Sequence, residues 1–253
     1  DLVIQSLIVK EILLQFVLIG SKNCYSSAKI ALGVQMQKKL LIFDLDGTLL
    51  DSLPDLVTAI NFALARQQLP AHSASTIRNF VGNGAYTLCQ RAATAYDEHA
   101  DVASVYQDFL AYYAKHSCDD SVPYTGVTAS LRGLQEHGYT LAIATNKPEA
   151  FLPAILAKLG WDKLFAKVVG GDSLPSKKPD PAPLYYLCDT LGFSYSQAVM
   201  IGDSKNDILA GKAAGMVTLA LSYGYNYGEP ISVSNPDKVF DDFSALTAYL
   251  LTR

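Results

Sequence analysis

Residues 40–49, LLIFDLDGTL, join an apolar run directly to two aspartates separated by a single residue. Alternate residues of a strand point to the same side, so Asp44 and Asp46 should face the same space at the end of a buried strand. Gly47 then allows the backbone to turn out sharply. Two carboxylates held this close repel each other unless a cation binds one and a proton binds the other. The stretch therefore predicts chemistry at a strand end, where α/β sheets bind their ligands.

The chain after Met36 alternates short apolar runs with helical patterns. This alternation is typical of a parallel sheet that is covered by helices. The predicted strands are residues 40–43, 140–144, 166–169, 198–201, 217–221 and 238–240. The predicted helices that connect them are residues 127–137, 148–159, 181–191, 206–214 and 243–251. We therefore expect an α/β fold with a Rossmann-like parallel sheet as its core.

Residues 51–123 depart from this alternation, because they show helical periodicity and no strand pattern. The predicted helices in this part are residues 54–67, 75–80, 85–96 and 101–116. The segment is too long for a crossover, so we expect an all-helical cap that is inserted after the first strand. A cap of this kind can exclude water and select the substrate. We assign residues 53–121 to the cap, and residues 36–52 and 122–253 to the catalytic core.

The composition indicates a globular protein with a large core, since half of the 253 residues are hydrophobic. A net charge of −4 and a pI near 5.5 argue against a nucleic-acid partner, which needs a basic face. A small anionic substrate remains compatible with positive charge that is placed locally. Neither the cysteines nor the histidines have the spacing of a disulfide framework or a metal site, and none is assigned to the chemistry: Cys24, Cys89, Cys118, Cys188, His72, His99, His116 and His137.

Residues 1–35 are apolar without a clean period and carry Lys10 and Glu11 in their most apolar part. Neither a membrane-spanning helix nor a secretory signal fits this pattern. We expect an upstream extension that adds nothing to the fold, so that its deletion leaves solubility and activity unchanged. The alternative is an amphipathic helix docked on the domain or on a membrane surface. The expectation is a cytoplasmic protein with no membrane partner.

Three further segments follow predicted strands and should converge on Asp44. Residues 145–147, TNK, place a hydroxyl and backbone N–H groups at a strand-to-helix junction, which is an arrangement that binds phosphate. The prolines of residues 176–181, SKKPDP, stiffen the chain and can hold a lysine inward as a fixed positive charge. Residues 202–207, GDSKND, supply two carboxylates, and hard oxygen ligands of this kind suit Mg²⁺.

Together these segments resemble the haloacid dehalogenase-like superfamily of phosphohydrolases, whose motifs follow the same order: DxDGT, a Thr or Ser, a Lys before Pro, and GDxxxD. The resemblance covers residues 36–253, and the helical insertion matches the subclass with a small cap. Within that subclass, five short segments resemble those of bacterial phosphoglycolate phosphatases: VGNG (81–84), TNKP (145–148), KKPDP (177–181), GDSKND (202–207) and YGYNYG (223–228). The resemblance implies a Mg²⁺-dependent phosphomonoester hydrolase with 2-phosphoglycolate as the expected substrate.

The same resemblance implies a role for each motif residue. Asp44 would be the nucleophile that attacks phosphorus and forms an aspartyl-phosphate. Asp46 would protonate the departing alkoxide and then deprotonate the hydrolytic water, with its main-chain carbonyl touching the metal. Thr145 and Lys178 would hold the phosphoryl oxygens.

The implied metal ligands are Asp44 and Asp203, with Asp46 contributing through its carbonyl. Asp207 would support this shell or orient Lys178. A simpler alternative for Asp207 is that it caps or charges the first turn of its helix.

The remaining substrate contacts are expected from Asn146 and from the cap residues Gly82, Asn83 and Gly84. The backbone donors of the latter three would face the substrate when the cap closes, although a simple turn before the next helix is an equal alternative. Residues 223–228 are expected to be a structured surface loop rather than a contact.

The expected partner is a small phosphorylated metabolite, and the sequence does not reveal an oligomeric state. A substrate with its own carboxylate needs a second anion site, which Arg78, the amides of residues 82–84 or Lys147 could provide. Alternatives to the expected activity are another small-metabolite phosphatase, a phosphosugar mutase of the same architecture, and a phosphate-binding protein without turnover. Asp46 argues against a dehalogenase, because that reaction has no leaving alkoxide to protonate.

Overall fold

The computed structural model of this chain describes residues 39–252, so the expectation for residues 1–35 lies outside the described residues. The strands in chain order are β1 (Leu40–Phe43), β2 (Leu50–Asp51), β3 (Val122–Pro123), β4 (Thr140–Ala144), β5 (Lys167–Val169), β6 (Ala198–Gly202), β7 (Val217–Leu221) and β8 (Lys238–Phe240). Six of them form a parallel sheet in the order β5-β4-β1-β6-β7-β8. The predicted α/β class and the position of every predicted strand are confirmed.

The helices occupy the two regions that the sequence predicts. Between β2 and β3 lie α1 (Leu53–Arg66), α2 (Ala74–Arg78), α3 (Ala85–Thr94) and α4 (Val102–Tyr113). Between and after the sheet strands lie α5 (Val127–Glu136), α6 (Leu152–Lys158), α7 (Ala182–Leu191), α8 (Lys205–Ala213) and α9 (Phe243–Leu251). Short 3₁₀ turns precede α6, β6 and β8 at Glu149–Phe151, Tyr195–Gln197 and Ile231–Ser234. The fold is therefore a Rossmann-like core with an inserted helical cap.

The central strand β1 is apolar throughout because both of its faces are covered. Its four residues have no solvent exposure. Leu41 and Phe43 belong to the hydrophobic cluster that includes Phe243 of α9, whereas Leu40 and Ile42 belong to the cluster that includes Leu184 of α7. A parallel strand that is buried on both faces loses the alternating pattern of a half-exposed strand. This explains why the run before Asp44 is continuous.

One element of the insertion is absent from the sequence prediction, which has no strand between Asp51 and Pro123. Both ends of that segment pair: Leu50 lies opposite Pro123, and Asp51 lies opposite Val122 in an antiparallel ladder. Next to it, Asp55 of α1 accepts hydrogen bonds from the backbone N–H groups of Asp120 and Ser121, at 3.0 and 2.9 Å. The two ends of the insertion are thus tied to each other.

Among residues 39–252, no helix combines the length and the hydropathy that crossing a membrane requires.

Candidate active site

The carboxyl ends of three neighbouring strands carry most of the predicted site residues. β1 lies between β4 and β6, and the residues that follow these strands are Asp44, Thr145 and Asp203. The N–H group of Asp44 donates to the carbonyl of Ile201 at 2.9 Å, which continues the ladder beyond β1. The sheet therefore fixes the backbone of Asp44 beside the end of β6.

Three buried carboxylates form a compact cluster at this edge of the sheet. Asp44, Asp203 and Asp207 each offer one oxygen, and these oxygens all lie within 4.8 Å of one another. Burial raises the pKa of Asp44 to about 7, while the nearby Lys178 lowers it and Asp207 raises it further. Burial and the charges of Asp207 and Asp44 hold the pKa of Asp203 well above its usual range. Hard oxygen donors with mutual repulsion suit a divalent cation, so the donor set fits a metal ion.

Asp203 is held in place by groups from two other loops. The Thr48 hydroxyl donates to its Oδ1 at 2.5 Å, and the backbone N–H of Tyr225 donates to its Oδ2 at 2.6 Å. Gly47 has φ +89°, and a Cβ atom at this position would lie 2.4 Å from Asp203 Oδ2. The glycine of the DGT motif is therefore required both by its backbone conformation and by the close approach of Asp203.

Lys178 joins the nucleophile candidate to the helix that follows β6. Its Nζ lies 3.0 Å from Asp44 Oδ1 and 2.6 Å from Asp207 Oδ1. Burial alone lowers the pKa of Lys178, but the charges of Asp207 and Asp44 raise it above its usual value. The ammonium therefore remains charged beneath the carboxylates.

Asp207 contacts Lys178 and also caps the helix that follows β6. Its Oδ1 binds Lys178, and its Oδ2 accepts hydrogen bonds from the backbone N–H and the hydroxyl of Ser204, both at 2.9 Å. Ser204 is the N-cap of α8, so the reciprocal capping box places the Asp207 carboxylate at the start of that helix.

A second lysine binds the other aspartate of the first motif. Lys147 Nζ donates to Asp46 Oδ1 at 2.8 Å and to Asp46 Oδ2 at 2.9 Å. Its ammonium also lies over the ring of Tyr113 in α4, 4.8 Å from the ring centroid. Burial alone lowers the pKa of Lys147, but the charge of Asp46 raises it above its usual value. Asp46 therefore has its side chain committed to Lys147 and stays outside the cluster of three carboxylates.

A cavity lies between these groups and the cap helices. The core side chains of its wall are mostly polar, and the cap contributes mostly apolar ones. The lining residues most relevant to the chemistry are Asp44, Asp46, Thr145, Asn146, Lys147 and Asp203. The Thr145 hydroxyl accepts a hydrogen bond from the Lys147 backbone N–H at 3.2 Å. Lys178 and Asp207 lie behind this wall and act on it through Asp44.

Asn146 links two of the predicted motifs to the cap. Its Nδ2 donates to the carbonyl of Lys178 at 2.8 Å and to that of Gly82 at 2.9 Å. Gly82 and Gly84 line the cavity, with φ of +123° and +90°. Asn83 is not among the lining residues, and its Oδ1 accepts a hydrogen bond from Arg91 at 2.8 Å. Of the three cap residues predicted to bind substrate, the structure brings only the two glycines to the cavity.

The loop of residues 223–228 is not the surface loop that the sequence suggests. Tyr225 is buried, and its backbone holds Asp203 as described above. Arg78 of the cap donates through Nη2 to the carbonyls of Tyr223 and Gly224, at 2.8 and 2.6 Å. The loop is drawn inward because it satisfies a carboxylate on one side and a guanidinium on the other. A run of tyrosines and glycines gives no sign of these distant partners.

Comparisons with known proteins agree with this architecture. The sequence profile of the haloacid dehalogenase-like hydrolases matches residues 41–221. A phosphoglycolate phosphatase of Psychrobacter arcticus is 49% identical over 223 residues, which are 85% of this chain and 97% of that protein. One of Haemophilus influenzae is 47% identical over 221 residues, or 85% of this chain and 99% of that protein. The crystal structure of a predicted phosphoglycolate phosphatase from Haemophilus somnus 129pt superposes with a TM-score of 0.81 at 42% identity, covering 87% of this chain and 100% of that one.

Proposed function

Because the chain belongs to the haloacid dehalogenase-like hydrolases, we propose that it is a Mg²⁺-dependent phosphomonoester hydrolase that converts 2-phosphoglycolate to glycolate and phosphate. One observation carries the proposal: Asp44 lies next to two further buried carboxylates and a buried lysine, and a second aspartate, Asp46, follows it two residues later. The names of the curated relatives support the choice of substrate.

In the proposed reaction, an Asp44 carboxylate oxygen attacks phosphorus while the bond from phosphorus to the alkoxide oxygen breaks. Asp46, which this step requires to leave Lys147 and to enter protonated, gives its proton to that oxygen, and glycolate leaves. A water molecule then attacks the phosphorus of the aspartyl-phosphate and gives a proton back to Asp46. The second step releases phosphate and restores Asp44.

The electrostatic repulsion around Asp44 explains why the reaction needs further residues and a metal ion. A phosphate dianion has to approach two carboxylates, Asp44 and Asp203, against electrostatic repulsion. A Mg²⁺ ion would be held by Asp44, Asp203 and the carbonyl of Asp46, with Asp207 in support, and would supply two positive charges there. Lys178 supplies a third positive charge at 3.0 Å from Asp44. The Thr145 hydroxyl remains to bind a phosphoryl oxygen in the transition state.

The cap supports hydrolysis by closing the cavity. Its apolar wall keeps bulk water away from the acyl phosphate, so that hydrolysis waits for a water that Asp46 can deprotonate. Gly82 and Gly84 border the same space. We assign Asn83 a structural role through Arg91 instead of a contact with substrate.

The test is a comparison of kcat/KM across phosphorylated metabolites, with MgCl₂ and then with EDTA. We expect the largest kcat/KM for 2-phosphoglycolate and stoichiometric release of phosphate and glycolate. We also expect activity to disappear in EDTA and to return with excess MgCl₂. No phosphate release from any ester in MgCl₂ would refute the proposal. A hexose phosphate that is isomerised without phosphate release would identify a mutase instead.

A further inference from the structure

The Tyr113 hydroxyl is a polar group in the cavity for which the proposed chemistry has no use. Tyr113 is the last residue of α4, its side chain is 1% exposed, and it lines the same cavity as Asp44 and Thr145. By hydrogen-bond geometry its hydroxyl oxygen has no partner among the protein atoms of residues 39–252, and the charge that acts on it most strongly is the Lys147 ammonium. Buried hydroxyl groups are costly to leave unpaired, so a native one without a protein partner points to a ligand group.

Tyr113 stands beside the one lysine that borders the cavity. The Lys147 ammonium lies over its ring, and an ammonium has three N–H donors, of which the two Asp46 oxygens account for two. Burial raises the pKa of Tyr113 above its usual value, so the hydroxyl keeps its proton and can donate. The pair therefore offers a positive charge and a neutral donor to the same part of the cavity.

The remaining cap side chains of the cavity wall offer nothing to an anion. They belong to Leu56, Val81, Ala85, Leu88 and Phe109, with Gly82 and Gly84 adding only backbone. Among the cap residues that line this cavity, Tyr113 thus has the only polar side chain.

Arg78, the obvious cationic alternative in the cap, is engaged elsewhere. It donates to two carbonyls of the loop 223–228 and is not among the residues that line the cavity. Among the cap side chains and the cationic side chains that line this cavity, Tyr113 and Lys147 are thus the two that can bind an anion.

We propose that the Tyr113 hydroxyl and the Lys147 ammonium together bind the second anionic group of the substrate, a carboxylate on a two-carbon phosphomonoester. This inference rests on the proposed function and deepens it, because it makes Tyr113 a residue that determines specificity. Hydrogen bonds to a carboxylate are charge-assisted and stronger than those between neutral groups. An ester without the carboxylate leaves both groups unpaired, and a site of this kind discriminates strongly against such an analogue.

The test compares Tyr113→Phe with the unchanged enzyme on 2-phosphoglycolate and on ethyl phosphate, which lacks the carboxylate. We expect kcat/KM for 2-phosphoglycolate to fall about 10- to 100-fold, mainly through KM, because one charge-assisted hydrogen bond is lost. The loss with ethyl phosphate should stay below about threefold. The matched control is Tyr112→Phe, since Tyr112 is on the same helix but stacks on Phe62 at 4.4 Å and does not line the cavity. Tyr112→Phe should leave kcat/KM unchanged for both substrates.

A binding measurement separates this proposal from the proposed activity. In an Asp44→Asn background, calorimetry should show that Tyr113→Phe weakens the binding of 2-phosphoglycolate about 10- to 100-fold. The affinity for inorganic phosphate should change by less than about threefold. Equal losses for both ligands, or for both esters in turnover, would mean a structural role and would overturn the proposal, as would no loss at all. If the enzyme hydrolyses no ester, the proposed activity fails, and the calorimetric ratio alone decides whether the carboxylate subsite exists.

Discussion

The two buried lysines of the site differ in what surrounds them. Lys178 is 2% exposed and contacts Asp44 and Asp207, which both belong to the sheet and its following helix. Lys147 is 3% exposed and contacts Asp46 on the core, but its other neighbour is Tyr113 of the cap. The surroundings of Lys178 are complete without the cap, whereas those of Lys147 are not. Under the two proposals above, charge compensation belongs to the core, and discrimination between substrates belongs to the boundary of core and cap.

Removal of the nucleophile tests the core half of this comparison with the largest expected effect. Asp44→Asn should lower kcat by at least about 10⁴-fold for every ester, because the proposed reaction uses Asp44 to accept the phosphoryl group and assigns that role to no other group in residues 39–252. Inorganic phosphate should still bind, since Thr145 and the positive charge of Lys178 remain and the repulsive charge of Asp44 is removed. The measurements are turnover by phosphate release and phosphate binding by calorimetry. Asp162→Asn, an exposed position, is the control that should retain full activity. Appreciable turnover by Asp44→Asn would refute the nucleophile assignment.

Replacement of each lysine by methionine tests the division directly. Lys178→Met should lower kcat/KM by about 10²- to 10³-fold for 2-phosphoglycolate and for ethyl phosphate alike, because it removes a charge used by any phosphate. Lys147→Met should lower kcat/KM for both esters, since Asp46 loses its partner. The decrease should be about tenfold larger for 2-phosphoglycolate than for ethyl phosphate. The quantity to measure is the ratio of the two kcat/KM values.

Folding needs to be checked in both lysine variants, because each leaves buried carboxylates without a counterion. Circular dichroism and the midpoint of thermal unfolding serve this purpose. The comparison of the two lysines fails if folded Lys178→Met changes the substrate ratio as much as folded Lys147→Met does.

The smallest expected effect is on stability and concerns the three carboxylates. The pKa of Asp44 rises from 3.8 to about 7, so without metal the folded state binds more protons than the unfolded state between these values. Stability of the metal-free protein should therefore fall as pH rises from about 4 to 7. Mg²⁺ binds the ionised carboxylates, so the gain in Tm from MgCl₂ should grow across the same interval, to on the order of 5 °C at saturating metal.

Differential scanning fluorimetry with MgCl₂ or EDTA measures this effect between pH 5 and 8. Asp203→Asn should remove most of the dependence on MgCl₂, because Asp203 shares the cluster. A Tm gain that is independent of pH, or that persists in Asp203→Asn, would place Mg²⁺ elsewhere.

The parts of the fold that the sequence predicts well have local causes. The strand at Leu40–Phe43 is bounded by Lys39 and Asp44, and burial on both faces keeps the run between them apolar. Since parallel strands end at one edge of a sheet, the motifs behind β1, β4 and β6 had to meet once those strands were recognised. The β2–β3 pair was missed because two residues per strand carry no period, and each strand's partner lies at the far end of the insertion.

The parts of the site that were missed depend on contacts between distant residues. In the sequence, Lys147 is one of several candidates for an anion site, and the residues next to it in the chain do not indicate that Asp46 is its partner. Tyr113 falls on the buried face of α4 and stacks on Phe109 at 5.2 Å, so its spacing is that of any core aromatic residue. What sets Tyr113 apart from a core aromatic residue is visible only in the structure: it lines the cavity, and its hydroxyl has no partner by hydrogen-bond geometry within residues 39–252.

The strand order has a consequence for the timing of synthesis. Asp44 follows the first strand of the sheet, but that strand sits between β4 and β6, which come about 100 and 155 residues later in the chain. The counterion Lys178 and the carboxylates Asp203 and Asp207 are likewise translated long after the nucleophile. A chain that ends before β6 therefore lacks both Asp203 and Asp207, and its first strand lacks one of its two neighbours in the sheet.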